Sequence, residues 1–381
     1  MKKVITLLFV VTQFLTGLVS CKKEDFSTEA PSKPTTPVNP RPTDPMPNTP
    51  AATFMIKVKA TIEVGEIMYD SIPASLQVTS WDSTNTAHQK QIELNPGANV
   101  LELPKAHVRY QLKLSKWGVT DEMTFTKDQI NEGTLIGLGG KKAARKLKLT
   151  EKFLWVEGAY RPNGKSVYQY TANGNLQQVD YFQKLPQFSE LQLTVRDKYE
   201  YSGNLLNKVN RYDGTGAFTG FTAFIYNAQG TQIVNIHEKT YDRDTYASVS
   251  YSYPTGAGVI NIDYLFSNGQ AMEYEMTFKG GNKVQDVARS STGAGEGGTY
   301  VYDFNINPFA HLNMPTLNLS NLSKNNLVGQ QKGFSGSIPS AVPYEYTYSY
   351  DSEGYPKEVV TSYKSGGSGE YLYKVKTVFH Y

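Results

Sequence analysis

The feature that most constrains the fold is a phrase recurring through the second half of the chain: two aromatics separated by one residue, a few turn residues ending in glycine, then an apolar stretch. Tyr168-Gln-Tyr170 leads into Thr-Ala-Asn-Gly174 and Leu176, Tyr199-Glu-Tyr201 into Ser-Gly203 and Leu205, and Phe224-Ile-Tyr226 into Asn-Ala-Gln-Gly230 and Ile233. Tyr264-Leu-Phe266 precedes Ser-Asn-Gly269, and Tyr346-Thr-Tyr348-Ser-Tyr350 precedes Asp-Ser-Glu-Gly354. Residues two apart share one face of a strand, aromatics suit a pleated surface, and glycine accepts the positive φ of a tight hairpin turn. The phrase therefore predicts antiparallel β-hairpins. The intervals between phrases are too unequal for a solenoid or propeller. Roughly ten to fourteen strands of this kind should form a curled sheet approaching an open barrel.

Composition changes where the phrase begins: 25 of the 27 tyrosines lie after residue 150. Upstream, the stretch from Thr53 alternates from Ile56 to Val64, and shorter alternating runs follow at Ser75 to Thr79, Val100 to Leu103 and Val108 to Leu114. Turn signals at Asn95-Pro96-Gly97, Leu103-Pro104 and Trp117-Gly118 separate them. Short period-two runs of this density predict a small β-sandwich, immunoglobulin-like or transthyretin-like in architecture. One helical turn is expected at Thr126 to Ile130.

The amino terminus carries an address. Lys2 and Lys3 precede a mostly apolar run to Val19, which closes on Leu18, Val19, Ser20 and Cys21. Charge, apolar run, small residue and cysteine in that order read as a signal peptide. The segment resembles the bacterial lipobox, in which Leu18, Val19 and Ser20 would be read by the signal peptidase and Cys21 would carry lipid. Lys22, Lys23, Glu24 and Asp25 resemble the export signal of Bacteroidota surface lipoproteins. Pro31, Pro34, Pro37, Pro40, Pro42, Pro45, Pro47 and Pro50 then forbid helix and sheet. A polyproline-like tether over residues 26–52 would reach on the order of 80 Å. The organisation expected is thus a signal peptide over 1–20, a lipidated cysteine and disordered Pro-rich tether over 21–52, a β-sandwich over 53–150, and a Tyr-rich hairpin meander over 151–381.

Charge and cysteine count exclude several classes. Lys plus Arg number 38 against 35 Asp plus Glu, without the basic excess of a nucleic-acid binder. Cys21 is the single cysteine, so disulfides, thiolate metal sites and a cysteine nucleophile are not expected. His88, His107, His237, His311 and His380 show no zinc-ligand spacing. Asp242-x-Asp244 lacks the glycine of a calcium loop, with Ala247 in its place. No metal or cofactor is expected. The stretches Gly137 to Lys142 and Gly293 to Gly298 fail as phosphate and dinucleotide sites, and both read as flexible turns.

Tyr302-Asp303, Asn307-Pro308-Phe309 and Leu322-Ser-Lys-Asn-Asn-Leu327 resemble the signature of Bacteroidota lipoprotein domains of unknown function with a porin-like, open-barrel sheet. The hairpin phrase is also similar to the tyrosine-aspartate repeats of Rhs proteins. The resemblance implies a fold and a host phylum and brings no catalytic residues. The terminal run Tyr371 to Tyr381 is like a barrel-insertion signal, but a lipid anchor is redundant for a spanning barrel. Polar residues on both faces of the hairpins, such as Asn207, Lys208 and Asn210, also disfavour one.

Three function classes follow. The leading expectation is an outer-membrane lipoprotein, displayed at the cell surface or facing the periplasm, that acts as a non-catalytic binding or structural module. Its membrane contact would run through lipid on Cys21, and its ligand would be a glycan, a lipid or another envelope protein. The second is a lipid- or lipoprotein-handling protein with an apolar concave sheet. The third is a hydrolase, which would need convergent carboxylates. Tyr344, Tyr346, Tyr348 and Tyr350 must share one face of a strand. There they either pack as cross-strand neighbours or stack a ligand ring.

Overall fold

The computed structural model describes residues 52–252, 258–291, 295–312, 323–335, 342–364 and 371–381. The signal peptide, Cys21, the export residues and the tether through residue 51 lie outside the described residues. Twenty-four strands and two 3-10 turns make the described chain all-β.

The first two sheets face each other as a sandwich. β1 (Thr53–Val64) buries every second residue from Phe54 to Val64, so its alternating sequence delivers one apolar face. It pairs antiparallel with β2 (Ile67–Asp70) and β5 (Asn99–Pro104) and, on its other side, parallel with β8 (Leu135–Lys142). The second sheet has the order β4-β3-β6-β7, with β3 (Ala74–Trp81) and β6 (Arg109–Lys116) central between β4 (Ala87–Leu94) and β7 (Val119–Thr126). Ile56, Ile62, Leu76, Leu103, Leu112 and Leu114 are fully enclosed between the sheets, each contributing about 1.5–3 kcal/mol. Lys127–Gln129 is the expected helical turn, with the Gln129 amide oxygen accepting the Thr126 backbone N–H at 2.9 Å.

Where described, both glycine-rich stretches are strand, not turn, Gly293 and Ala294 lying outside the described residues. Gly137 to Lys142 belong to β8, and Gly295 to Gly298 open β20 (Gly295–Ile306). The reason is close approach: a Cβ on Gly139 would lie 1.5 Å from the Thr61 carbonyl oxygen. Meanwhile the Gly139 N–H reaches the Asp121 carboxylate at 2.8 Å.

From β9 (Leu149–Val156) to β24 (Tyr371–His380), sixteen antiparallel strands pair in chain order, and the last pairs with the first. Val375 faces Leu154 and His380 faces Leu149 across that seam. The sheet therefore closes, with more strands than the hairpin phrases suggested. Closure removes both edges, which in an open sheet would present unpaired backbone groups.

Sandwich and barrel belong to one compact unit, Ala51–Tyr381. Trp117, at the β6–β7 hairpin tip, adopts a left-handed φ of 51° and is 5% exposed. Its ring fills the space over Gly354, in the turn between β22 (Val342–Tyr350) and β23 (Pro356–Lys364). Lys142 Nζ donates to the carbonyls of Trp117 and Glu353, both at 3.0 Å. Arg145 stacks on Tyr381 at 4.6 Å and pairs with Asp351 at 2.5 Å. These contacts define a near mouth, where the even-numbered barrel strands end against the sandwich, and a far mouth at the opposite end.

Candidate functional site: the aromatic interior of the barrel

Register decides which side chains look inward. Across successive strands Tyr168, Val179, Asp197, Arg211 and Gly220 share one face, while Val167, Asp180 and Arg196 share the other. The first face carries Leu176, Val179, Ile262 and Met276 at 0% exposure and a surround of half-buried tyrosines. A closed wall offers such burial only on its inner side. The second face carries Lys198, Glu200, Ser248, Asp263, Glu273, Thr299 and Glu345, all exposed. The barrel is thus aromatic within and charged without.

Four of the five hairpin phrases build the same device, as does the hairpin after Phe278, while the Tyr264–Phe266 hairpin pairs without a shift. The register shifts by one residue at the second aromatic: at Tyr170, Tyr201, Tyr226, Phe278 and Tyr350. The bulge falls on the following strand, so the residue opposite that aromatic and the residue three along face the interior together. Leu176 and Val179, and likewise Leu206 and Val209, are paired inward this way. At three of the bulges a tyrosine hydroxyl in, or just after, the next even strand takes a carbonyl of the bulged strand. Tyr226 donates to Leu206 at 2.9 Å, Tyr251 to Ile233 at 3.1 Å and Tyr381 to Pro356 at 3.0 Å. Tyr170 does the same to Leu147 at 2.8 Å, just ahead of β9. Tyr201 faces the Leu176 carbonyl, but its buried hydroxyl falls outside hydrogen-bonding geometry. Burial pushes Tyr168 and Tyr346 up to about 12, so these phenols stay protonated.

Charged side chains also enter the interior, and one hairpin buries an ion pair there. In β19 (Asn282–Ser290), Lys283 and Asp286 occupy the inward positions, and both are buried. Lys283 Nζ donates to Asp286 Oδ2 at 2.6 Å, and the same oxygen accepts from Tyr274 at 2.6 Å and Tyr300 at 2.7 Å. The ammonium lies 3.6 Å from the centre of the Tyr300 ring. Burial pulls Lys283 down to about 8, partly offset by Asp286. Burial opposes ionisation of Asp286, but the hydrogen bonds from Lys283, Tyr274 and Tyr300 outweigh it and hold the carboxyl below its usual range. With Lys283 at 1% exposure, no substrate reaches the amine. The knot is a buried cross-brace.

The near mouth is plugged. The 3-10 turn Pro308–Leu312 enters it, with Leu312 and Phe309 packed among Leu147, Val359, Phe379, Tyr346 and Tyr348. The residues of the quoted signature converge here. Asp303 accepts from Tyr350 and from the Asn326 backbone at 3.1 Å. Asn307 donates to the Ser323 carbonyl at 2.7 Å, and Asn325 to the Asn305 carbonyl at 2.9 Å. Their spacing is that of a network joining β20 to β21 (Asn325–Ser335).

Tyr344, Tyr346, Tyr348 and Tyr350 alternate with exposed Glu345, Thr347 and Ser349, and all four point inward, half-buried. Tyr344 meets the Tyr363 ring at 5.3 Å, and Tyr348 stacks on Tyr350 at 5.6 Å. Toward the far mouth the interior becomes wet. Tyr373 is 47% exposed, and the Arg211 guanidinium, bidentate on Asp197 at 2.8 and 2.9 Å, is half-exposed. Lys152 is open to water yet walled in closely enough that its ammonium is destabilised. Burial raises the Glu238 carboxyl, against the pull of Arg211 and Arg243. On the outer face, Asp244 of the rejected calcium loop pairs with His237 at 2.7 Å. Among the described residues no group of three or more His, Cys, Asp or Glu is placed to hold a metal ion.

No protein-family model matches the chain, and no curated protein matches its sequence. Among solved structures it is similar to a porin-like protein from Bacteroides uniformis, at 13% identity and a TM-score of 0.43, over 62% of this chain and 98% of that one. A porin-like protein from Bacteroides vulgatus matches at 12% identity and a TM-score of 0.34, over 62% and 99%. The pilus adhesin SpaC from Lactobacillus rhamnosus GG matches at 10% identity and a TM-score of 0.18, over 84% and 41%.

Proposed function

We propose that the chain is a lipid-anchored protein of the bacterial envelope whose barrel stands in water as a non-catalytic binding or structural module. The observation that carries this reading is the polarity of the wall. A barrel that crosses a membrane needs a continuous apolar outer band and tolerates a polar lumen; here exposed charges such as Lys198, Glu200, Asp263, Glu273 and Glu345 interrupt the outer wall, where Ile225, Leu265 and Val301 are isolated apolar exposures, and the interior is lined mainly by aromatics. Attachment then falls to Cys21, with Leu18 to Ser20 as processing site and Lys22 to Asp25 as export signal. The buried ion pair Lys283 with Asp286 is sealed from substrate, which favours a module over a hydrolase. Cys21→Ser should move the protein from the membrane fraction to the soluble pool with its fold intact. Protease added to intact cells should digest the wild-type protein if it is displayed outward and spare it if it faces the periplasm. A Cys21→Ser protein that stays with membranes overturns the reading.

A second reading, lipid or lipoprotein handling, is favoured by the far mouth, where Tyr344, Tyr363 and Tyr373 line a water-accessible entrance to the aromatic interior. It requires solvent extraction of the purified protein to release an acyl lipid in stoichiometric amount.

A further inference from the structure

The outer wall carries a depression of about 320 Å³ across β16 (Asp244–Ser252), β17 (Gly258–Phe266), β18 (Ala271–Lys279) and β19. Strand register arranges its lining in rows. Asp263, Glu273 and Arg289 stand side by side on β17, β18 and β19. Two residues along, Ser250, Asn261 and Glu275 form the next row. On the other flank Tyr246 stands beside Leu265, and these two are 55% and 56% exposed. The Tyr246 ring is braced on one face by His237, stacked at 4.2 Å and 11°, and His237 is itself held by Asp244.

The polar rows are not satisfied from within. Among the described residues, the side chains of Asp263, Glu273, Glu275 and Arg289 make no hydrogen bond or ion pair with the protein. Asp263 and Glu273 face each other directly, and like charges in that position disfavour a sheet. Hydrogen-bond capacity lining a cavity and left unused by the fold is what a ligand site provides.

We propose that this depression binds a neutral carbohydrate. Sugar hydroxyls both donate and accept, matching carboxylates that only accept and a guanidinium that only donates. The C–H face of a sugar ring suits an exposed, braced tyrosine, whose body is apolar and whose tip is polar. Three carboxylates against one arginine repel an anionic ligand. The carboxylates do not converge on one point as a cation site requires. At the small end of ligand pockets, which run about 300–1,000 Å³, the volume fits one or two sugar rings.

The inference rests on an outer wall that faces water, and it is tested separately from the anchoring. The purified full chain is screened against neutral, sulfated and sialylated oligosaccharides, and binding of any hit is titrated with and without calcium. The expected result is saturable binding of a neutral oligosaccharide, independent of calcium, that weakens at least tenfold in Glu273→Ala and in Tyr246→Ala. Both residues are exposed, so both variants should stay folded, and Glu273→Ala, by removing the repulsion from Asp263, should not lower the melting temperature. Absence of neutral-glycan binding up to millimolar concentration, binding of acidic glycans or calcium alone, or unchanged affinity in Glu273→Ala overturns the proposal. Such a failure leaves the Cys21 experiment standing, and retention of Cys21→Ser on membranes leaves a measured glycan affinity intact.

Discussion

The Tyr69 hydroxyl donates to the Lys324 carbonyl at 2.9 Å and lies 3.2 Å from Nε2 of His311, so the histidine must be the donor in the second bond. That fixes His311 as the neutral Nε2–H tautomer at the joint between sandwich and barrel. Burial, then the nearby Lys142 charge, holds its pKa down to about 4. The unfolded chain takes up this proton near 6.5. Between pH 6.5 and 4 the unfolded state therefore binds more protons, and stability rises with pH. Urea unfolding should show full stability above pH 6.5 and a loss on the order of 2–3 kcal/mol as pH falls to 4. His311→Gln keeps an N–H for Tyr69 but cannot titrate, so it should flatten this slope. An unchanged slope would assign it to other groups.

Gly354 is the other pivot of the joint. Its φ is +82°, and a Cβ there would lie 2.4 Å from the Trp117 ring. Gly354→Ala combines left-handed strain of about 1–2 kcal/mol with overpacking of about 1–3 kcal/mol. Chemical denaturation should register a loss of roughly 2–5 kcal/mol. Pairing it with Trp117→Leu should restore part of the loss; failure to do so would place the strain in the backbone alone.

The hairpins were legible because each phrase couples a local rule, alternation, to a local stop, glycine at positive φ: Gly174, Gly203, Gly230, Gly269 and Gly354 all adopt it. Alternation also put Tyr344 to Tyr350 on one face, but it is blind to which face turns inward, since that depends on curvature summed over sixteen strands. Closure was hidden for the same reason, because β24 and β9 lie at opposite ends of the repeat. The parallel β1–β8 pair escaped because glycines needed for close approach at Gly139 look like turn glycines. The Lys283–Asp286 knot escaped because residues three apart in a strand should face opposite ways. A signal existed: Leu176/Val179, Leu206/Val209 and Ile233/Ile236 repeat that three-residue spacing after Gly174, Gly203 and Gly230, and Lys283/Asp286 follows Gly281 likewise.

The knot predicts its own coupling. Lys283→Met leaves Asp286 as a buried charge with two phenol donors, and Asp286→Asn leaves the ammonium unneutralised; each should cost about 3–5 kcal/mol. The double variant removes both charges while the asparagine oxygen can still accept from Tyr274 and Tyr300. It should lose clearly less than the sum of the single variants. Additive losses in urea titrations would mean that the two side chains act independently.

The tyrosine hydroxyls separate a bond from a ring. Tyr226→Phe keeps the packing around Phe224 and Leu206 but strands the Leu206 carbonyl, so it should lose about 1–3 kcal/mol, the range for a buried polar group left unpaired. Tyr251→Phe should behave alike through Ile233. Tyr201 occupies the equivalent rung with a buried hydroxyl that makes no bond, so Tyr201→Phe removes an unsatisfied group and should be neutral or slightly stabilising. Thermal unfolding of the three variants under one condition reads the contrast directly. If Tyr201→Phe costs as much as Tyr226→Phe, a bond to Leu176 forms in solution. If none of the three differs from wild type, the repeated tyrosine is kept for its ring alone.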